Sequence, residues 1–437
     1  MTEIRHHFHD DRTGDLNRNA LAVLLVLLTA AAILVRLFVS APLANLVVPY
    51  SVEGGSFFVK FHIGTYLVAM LLPLSLFARP IALRGDDILL LRFLFRCAGL
   101  FIGLLVYVVV ISRIGATGTI VDTYLAACLA ALLMLTNSPE GRRFVGTCVL
   151  GGLMLGAVVA IGEAITKHHV IPFTESEPFF RATAFAGHPL VLGAFCVLGI
   201  GFVPLTRWRI WVKTAAVLLI LLGCVASGAR TALILAVVEI ILLLLLVRWP
   251  KLSRRQERKA KLFAFVFAVT AGVLLAALLM AAGFLGRFGG SSSDGNFMAR
   301  IDVFQMFTFV SWRDIMLGME PQSILAIVNE KLRLPYIESA PVLLVLSMGL
   351  PAALFLTGLV VVFLTRLLRG SATPAKIATV MFLLADLSNN ALATKTGDIV
   401  LLTVLILAFR PRPEDMPASK RQGALSMISS RPLRVRV

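Results

Sequence analysis

Long apolar runs, broken by short polar turns, recur along almost the whole chain. Leu21–Val35 and Leu262–Leu285 are apolar on every side, unlike the one-sided helices of a soluble surface. A bilayer span needs roughly 20 mainly apolar residues, and inside lipid such a run must form a helix to satisfy its own backbone. The short alternating segments of a β-barrel are absent. The pattern therefore predicts an all-α, polytopic membrane helix bundle of about twelve spans. These fall near 20–40, 61–78, 88–112, 119–136, 144–165, 184–205, 210–226, 229–248, 262–285, 339–365, 375–392 and 397–410. A tail (1–19) precedes this transmembrane domain (20–410), and a basic tail (411–437) follows it. The first run has a polar lead and is longer than a signal-peptide core, so it reads as a retained anchor.

Composition agrees: 58% of the 437 residues are hydrophobic, and the mean hydropathy is +0.90. A net charge of +17 would suit a nucleic-acid partner, but its basic residues sit in short clusters between spans, so no nucleic acid is expected. With the N-terminus inside, 27 of the 41 Lys and Arg fall on the inner side and 12 on the outer. The positive-inside bias then places both termini in the cytoplasm. The strongest marker is RWPKLSRRQERKAK at 248–261, with seven basic residues in one turn. The same alternation puts the long gap 286–338 outside, as a large periplasmic loop between spans nine and ten. That loop opens on GGSSSDG and continues as MARIDVFQMFTFVSWRDIMLG. The helical apolar spacing of the latter suits a segment resting on the outer membrane surface or capping a cavity.

No P-loop, GxSxG, HExxH or dinucleotide fingerprint occurs, which argues against an ATP-driven pump or a metalloprotease. The five cysteines (97, 128, 148, 196 and 224) lie in apolar runs without a CxxC pair and read as small apolar side chains. His168 and His169 are adjacent, so they do not share a helix face; no metal and no cofactor are expected.

The outer side offers arginines beside span ends. Arg181 precedes a span, Arg230 lies in the tight turn CVASGARTALIL, and Arg287 and Arg300 lie in the large loop. Each reads either as a side chain snorkelling to lipid phosphate or as a guanidinium fork for a phosphate or pyrophosphate. His188 starts a span between Gly187 and Pro189, as a site residue or as a helix-start residue only. Glu338 sits where the loop re-enters the membrane, and Asp386 lies near the outer end of a span. Glu163 and Glu239 are two further intramembrane acids, a residue class that faces cavities or partners.

Four stretches of this chain resemble the bacterial O-antigen ligase and O-antigen polymerase family. They are RATAFAGHPLVLGAF (181–195), ASGARTALI (226–234), Arg300 followed by Trp312 to Gly318, and the re-entry ending in SMGLPAALFL (347–356). The likeness covers about residues 140–370. It implies an inner-membrane, metal-independent glycosyltransferase working on the periplasmic face with an undecaprenyl-pyrophosphate-linked glycan as donor. By that likeness Arg230 and Arg181 would be catalytic, with Arg300 and His188 binding substrate; Arg287 in the outer loop and Asp386 near an outer span end are read as further substrate-binding residues from their positions alone. Ligases of the family carry a histidine near the end of the large loop. Here that region reads LPYIESAPV, which favours a polymerase of capsule or exopolysaccharide type, with Glu338 as the available base. Such an enzyme would work beside a flippase and a chain-length regulator. The alternatives are an O-antigen ligase passing the glycan to lipid A core or another acceptor, a secondary transporter in polysaccharide export, and a structural subunit of an export complex.

Orientation is testable in a cysteine-free background. In intact spheroplasts an impermeant maleimide should label Ser293→Cys, and should label Gln256→Cys only after lysis. Labelling of position 256 but not 293 would invert the topology.

Overall fold

The computed structural model describes residues 3–48, 50, 60–78, 86–173, 180–247, 253–263, 265–266, 270, 301–334 and 336–411. The run expected at 262–285 lies almost wholly outside these residues, as do Arg287, Arg300 and nearly all of the C-terminal tail.

Every regular element among the described residues is helical. The principal helices are α1 (Glu3–Phe38), α2 (Ile63–Ala78), α3 (Asp86–Val110), α4 (Ile114–Thr136), α5 (Pro139–Thr166), α6 (Pro189–Phe202), α7 (Ile210–Ala226) and α8 (Arg230–Leu246). They continue as α9 (Ala340–Met348), α10 (Leu350–Leu368), α11 (Thr373–Leu387) and α12 (Asp398–Ala408). Five helical stretches, Asn19–Phe38 within α1 and the whole of α3, α4, α5 and α10, are long and apolar enough to cross a membrane. Several carry apolar residues outward as well as inward. On α10 the inner face is Ala352, Ala353, Leu356, Leu359 and Phe363, while Leu354, Phe355, Val361 and Val362 are exposed. An exterior of that kind is stable against lipid and costly against water, so this is a membrane protein.

α4, α6 and α12 form the centre, with almost every residue of α6 and α12 buried. Small residues let the helices meet closely, as in membrane bundles generally. Gly193 lies against Ala229 and Ala232, Gly223 against Ala157, and Gly201 against Ala378. α5 runs parallel to α1, with Gly141 against Val26 and Gly152 against the Phe38 ring.

The connections gather at two ends. At one, Asp87 holds Arg142 at 2.7 Å and Arg410 at 3.6 Å, joining the start of α3, the start of α5 and the end of α12. At the other end, Asp122 opens α4 within a π-helical turn (Ile120–Leu125) and is fully buried. Its carboxylate accepts hydrogen bonds from Tyr50 Oη (2.8 Å), His62 N (3.0 and 3.1 Å) and Thr65 Oγ1 (2.7 Å). Arg36, in the last turn of α1, donates through Nη2 to the carbonyls of Asp122 and Thr396. The segment 301–334 lies at this Asp122 end too. Arg113 donates to Leu317 O at 3.1 Å and faces Glu320 at 3.9 Å.

The run expected as one span at 339–365 is two helices. The chain breaks at Gly349, whose φ of +85° and ψ of 153° suit glycine alone. A Cβ there would lie 2.3 Å from Met316 O. The facing Gly318 also has positive φ (+78°), and Met319 N donates to Leu346 O at 2.6 Å. The Trp312–Gly318 stretch and the SMGLP stretch thus meet backbone to backbone, which is what two glycines permit and larger residues would not.

Candidate functional site

Glu163 sits one turn before the end of α5 and is 2% exposed. A buried carboxylate needs donors, and Glu163 finds them in the loop that follows. Oε1 accepts from Val170 N at 2.8 Å, and Oε2 accepts from Thr183 N at 2.8 Å and Ala184 N at 2.9 Å. The His169 ring stacks on Phe180 with centroids 4.5 Å apart. The loop is thereby folded back onto the helix it leaves, with Ala184 held at φ +42°. Sequence reasoning read Glu163 as a candidate intramembrane acid; its visible work is to position the Arg181 segment.

That segment is bonded to the turn between α7 and α8. Ala182 N donates to Ala226 O at 3.1 Å, and Arg181 Nε donates to Ser227 O at 3.3 Å. The turn is closed by Ser227, whose Oγ donates to Cys224 O (2.7 Å) and accepts from Ala229 N (3.2 Å), and by Gly228 at φ +63°. Arg230 follows as the first residue of α8. The two arginines singled out in the sequence therefore sit on directly bonded segments, both half-buried. Guanidinium groups so placed by rigid backbone suit a phosphate or pyrophosphate.

His188 caps α6, its Nδ1 accepting from Leu190 N at 3.3 Å. It also lines a cavity of about 400 Å³ at the Asp122 end, together with Arg36, Tyr50, His62, Asn390 and Lys395. Several of these are held in place from outside the cavity. His62 Nδ1 accepts from Gly64 N, so the proton lies on Nε2, which is 2.6 Å from Val39 O. Burial, with the Asp122 carboxylate beside it, raises the Tyr50 phenol above its ordinary pKa. Lys395 Nζ donates to Lys60 O at 3.0 Å and stands 4.9 Å from the Tyr50 ring centroid.

Glu338 is half-buried next to the cavity wall without lining it. Its neighbours are pinned to the turn after α11, Asn390 Nδ2 donating to Ile337 O at 3.0 Å and Ala340 N to Asn389 O at 3.1 Å. Asp386, expected to bind substrate, is fully buried below that turn and does not line the cavity. Arg287 and Arg300 lie outside the described residues. Sequence reasoning passed over Arg36, Asp122 and Lys395. The signal was present for the first two, since each is a charge inside an apolar run and such a charge is retained only for a partner. Among the described residues no group of acidic, histidine or cysteine side chains could hold a metal ion.

No protein-family model matches this chain, and no curated protein matches it significantly.

If Glu163 holds the Arg181 segment, Glu163→Ala leaves three backbone amides without their acceptor, at about 1–3 kcal/mol each. Hydrogen exchange across 168–185 should then accelerate by at least about tenfold while the helices keep their protection. Unchanged exchange would show that other contacts hold the loop.

Proposed function

We propose that the chain is a membrane glycosyltransferase that polymerises undecaprenyl-pyrophosphate-linked oligosaccharide repeats into surface polysaccharide. On this reading it is a twelve-span protein of the bacterial inner membrane with cytoplasmic termini, and the Asp122 end faces the periplasm. The observation that carries the reading is the bonding of the Arg181 segment to the Arg230 turn, beside a cavity whose wall includes His188. Consistent with the topology, Lys261, which donates to Leu245 O near the end of α8, is followed by residues 301–334 at the Asp122 end.

The chemistry follows from the leaving group. An acceptor sugar hydroxyl attacks the anomeric carbon of the donor. Its oxygen forms the new glycosidic bond while the bond from that carbon to pyrophosphate breaks, and the electron pair leaves with the pyrophosphate. Pyrophosphate departs readily at neutral pH, so no protonated carboxyl is needed, in contrast to glycoside hydrolysis. The main demand is to neutralise charge growing on the phosphates, which preorganised arginines meet most strongly where water is partly excluded. Arg230 and Arg181 take that role, with Arg300, Arg287 and His188 binding substrate. The acceptor proton goes to Glu338 or to water.

Removing one preorganised donor costs roughly 3–4 kcal/mol, about a hundred- to thousandfold in rate. Arg230→Ala should therefore abolish long polymer in cells while the protein stays inserted at normal abundance. Arg230→Lys keeps the charge, loses the fork and should also be poor. Glu338→Gln should lower turnover by about 10²–10⁴ if the carboxylate is the base. Normal chain length from Arg230→Ala, read on a gel of extracted glycan, would remove the arginine clamp from the mechanism.

A further inference from the structure

The cavity at the Asp122 end has features that the pyrophosphate clamp does not use. Arg36 lines it and is only 4% exposed. Its Nη2 is engaged by two backbone carbonyls, but its Nε has no hydrogen-bond partner among the described residues. The Oγ of Ser40, on the same wall, is also buried and without a partner there. Buried donors of this kind are costly to leave unmatched, and unmatched donors on a cavity wall are matched when a ligand brings an acceptor. Lys395 adds a second positive charge to the lining, and among the described residues no Asp or Glu lines the cavity. Among the described residues, Glu338 lies beside the wall, and Asp122 and Asp398 lie behind it. Asp122 is fully buried and turned to Tyr50, His62 and Thr65, and Asp398 is fully buried at the start of α12. The volume, about 400 Å³, falls within the roughly 300–1,000 Å³ of small-molecule sites. Asn390 and His188 add polar groups of the sort that orient sugar hydroxyls.

We propose that this cavity is a second oxyanion site, which receives an acidic substituent on the acceptor sugar, a carboxylate or a phosphate, and so selects an acidic glycan. The inference rests on the glycosyltransferase reading for the identity of the molecule that carries the group. His188 stands between the two sites, on the cavity wall and within electrostatic range of Arg181. Donor pyrophosphate on the arginine side and acceptor in the cavity would then approach each other across it.

Binding to the purified full-length protein in lipid nanodiscs tests this with four probes. Trigalacturonate carries carboxylates, galactose 6-phosphate carries a phosphate, galactotriose is neutral, and inorganic pyrophosphate stands for the leaving group. At least one of the two acidic sugars should bind at least about tenfold more tightly than galactotriose. Lys395→Gln should weaken that binding about ten- to hundredfold, the scale of one charge-assisted hydrogen bond. Ser40→Ala removes an oxygen with no hydrogen bond among the described residues, so it should keep the fold and still weaken the acidic sugar severalfold. Pyrophosphate binding should respond to Arg230→Ala and not to Lys395→Gln. Equal binding of acidic and neutral sugars overturns the proposal, and so does acidic-sugar binding that neither Lys395→Gln nor Ser40→Ala alters. Competition between pyrophosphate and the acidic sugar, with both weakened by Lys395→Gln, would assign the cavity to the leaving group and also overturn it. Failure of pyrophosphate to bind at all would count against the arginine clamp, while the acidic-sugar comparison would stand on its own result.

Discussion

A carboxylate and a guanidinium withdrawn from water must each be surrounded by partners, because the cost of leaving one bare is several kcal/mol. The Asp122 end is organised around that constraint. Asp122 is fully buried and gathers Tyr50, the amide of His62 and the hydroxyl of Thr65, while Arg36 bonds the Asp122 and Thr396 carbonyls. Five separate parts of the chain are tied by these bonds: the end of α1, the segment at Tyr50, the start of α2, the opening turns of α4 and the turn before α12. The cluster thus joins helix ends to the irregular segments at Tyr50 and Thr396 and fixes how they meet. All of these segments except the α4 turns also wall the cavity. Removal of either charged group would loosen the site as well as the bundle.

Glu163 repeats the device on a smaller scale. One buried carboxylate takes up three backbone amides of an irregular loop and presents Arg181 to the α7–α8 turn. Both acids lie within apolar runs, where a titratable group would ordinarily suggest transport. Their oxygens are instead occupied by neighbouring backbone and hydroxyl groups. That arrangement fits positioning residues around a fixed site better than charge carriers that must be released and refilled.

The helices were legible in the sequence because apolar length alone dictates them, and α2 to α8 fall close to the expected runs. The break at Gly349 was not legible. Hydropathy is continuous through SMGLP, and only the close approach of Met316 O explains why the chain turns there. The tight turn at Ser227–Arg230 was legible, yet the bond from Arg181 to Ser227, 46 residues apart, depends on a tertiary contact that no local pattern encodes. Asp386 illustrates the converse. Its place near a span end suggested exposure to substrate, but the following turn folds over it and buries it. Arg36 and Asp122 were visible as charges in apolar runs, although each gains its meaning only when the other is seen beside it.

The central claim is a chemical one, that the arginine-bearing end catalyses transfer from a pyrophosphate-linked glycan. The most direct measurement supplies the purified protein with a synthetic undecaprenyl-pyrophosphate-linked repeat unit, without nucleotide sugar or metal, and follows both products by mass spectrometry. The account predicts a ladder of lipid-linked oligomers, with one undecaprenyl pyrophosphate released for each repeat added. Recovery of the intact starting material, or release of free glycan by hydrolysis with no oligomers, would contradict it.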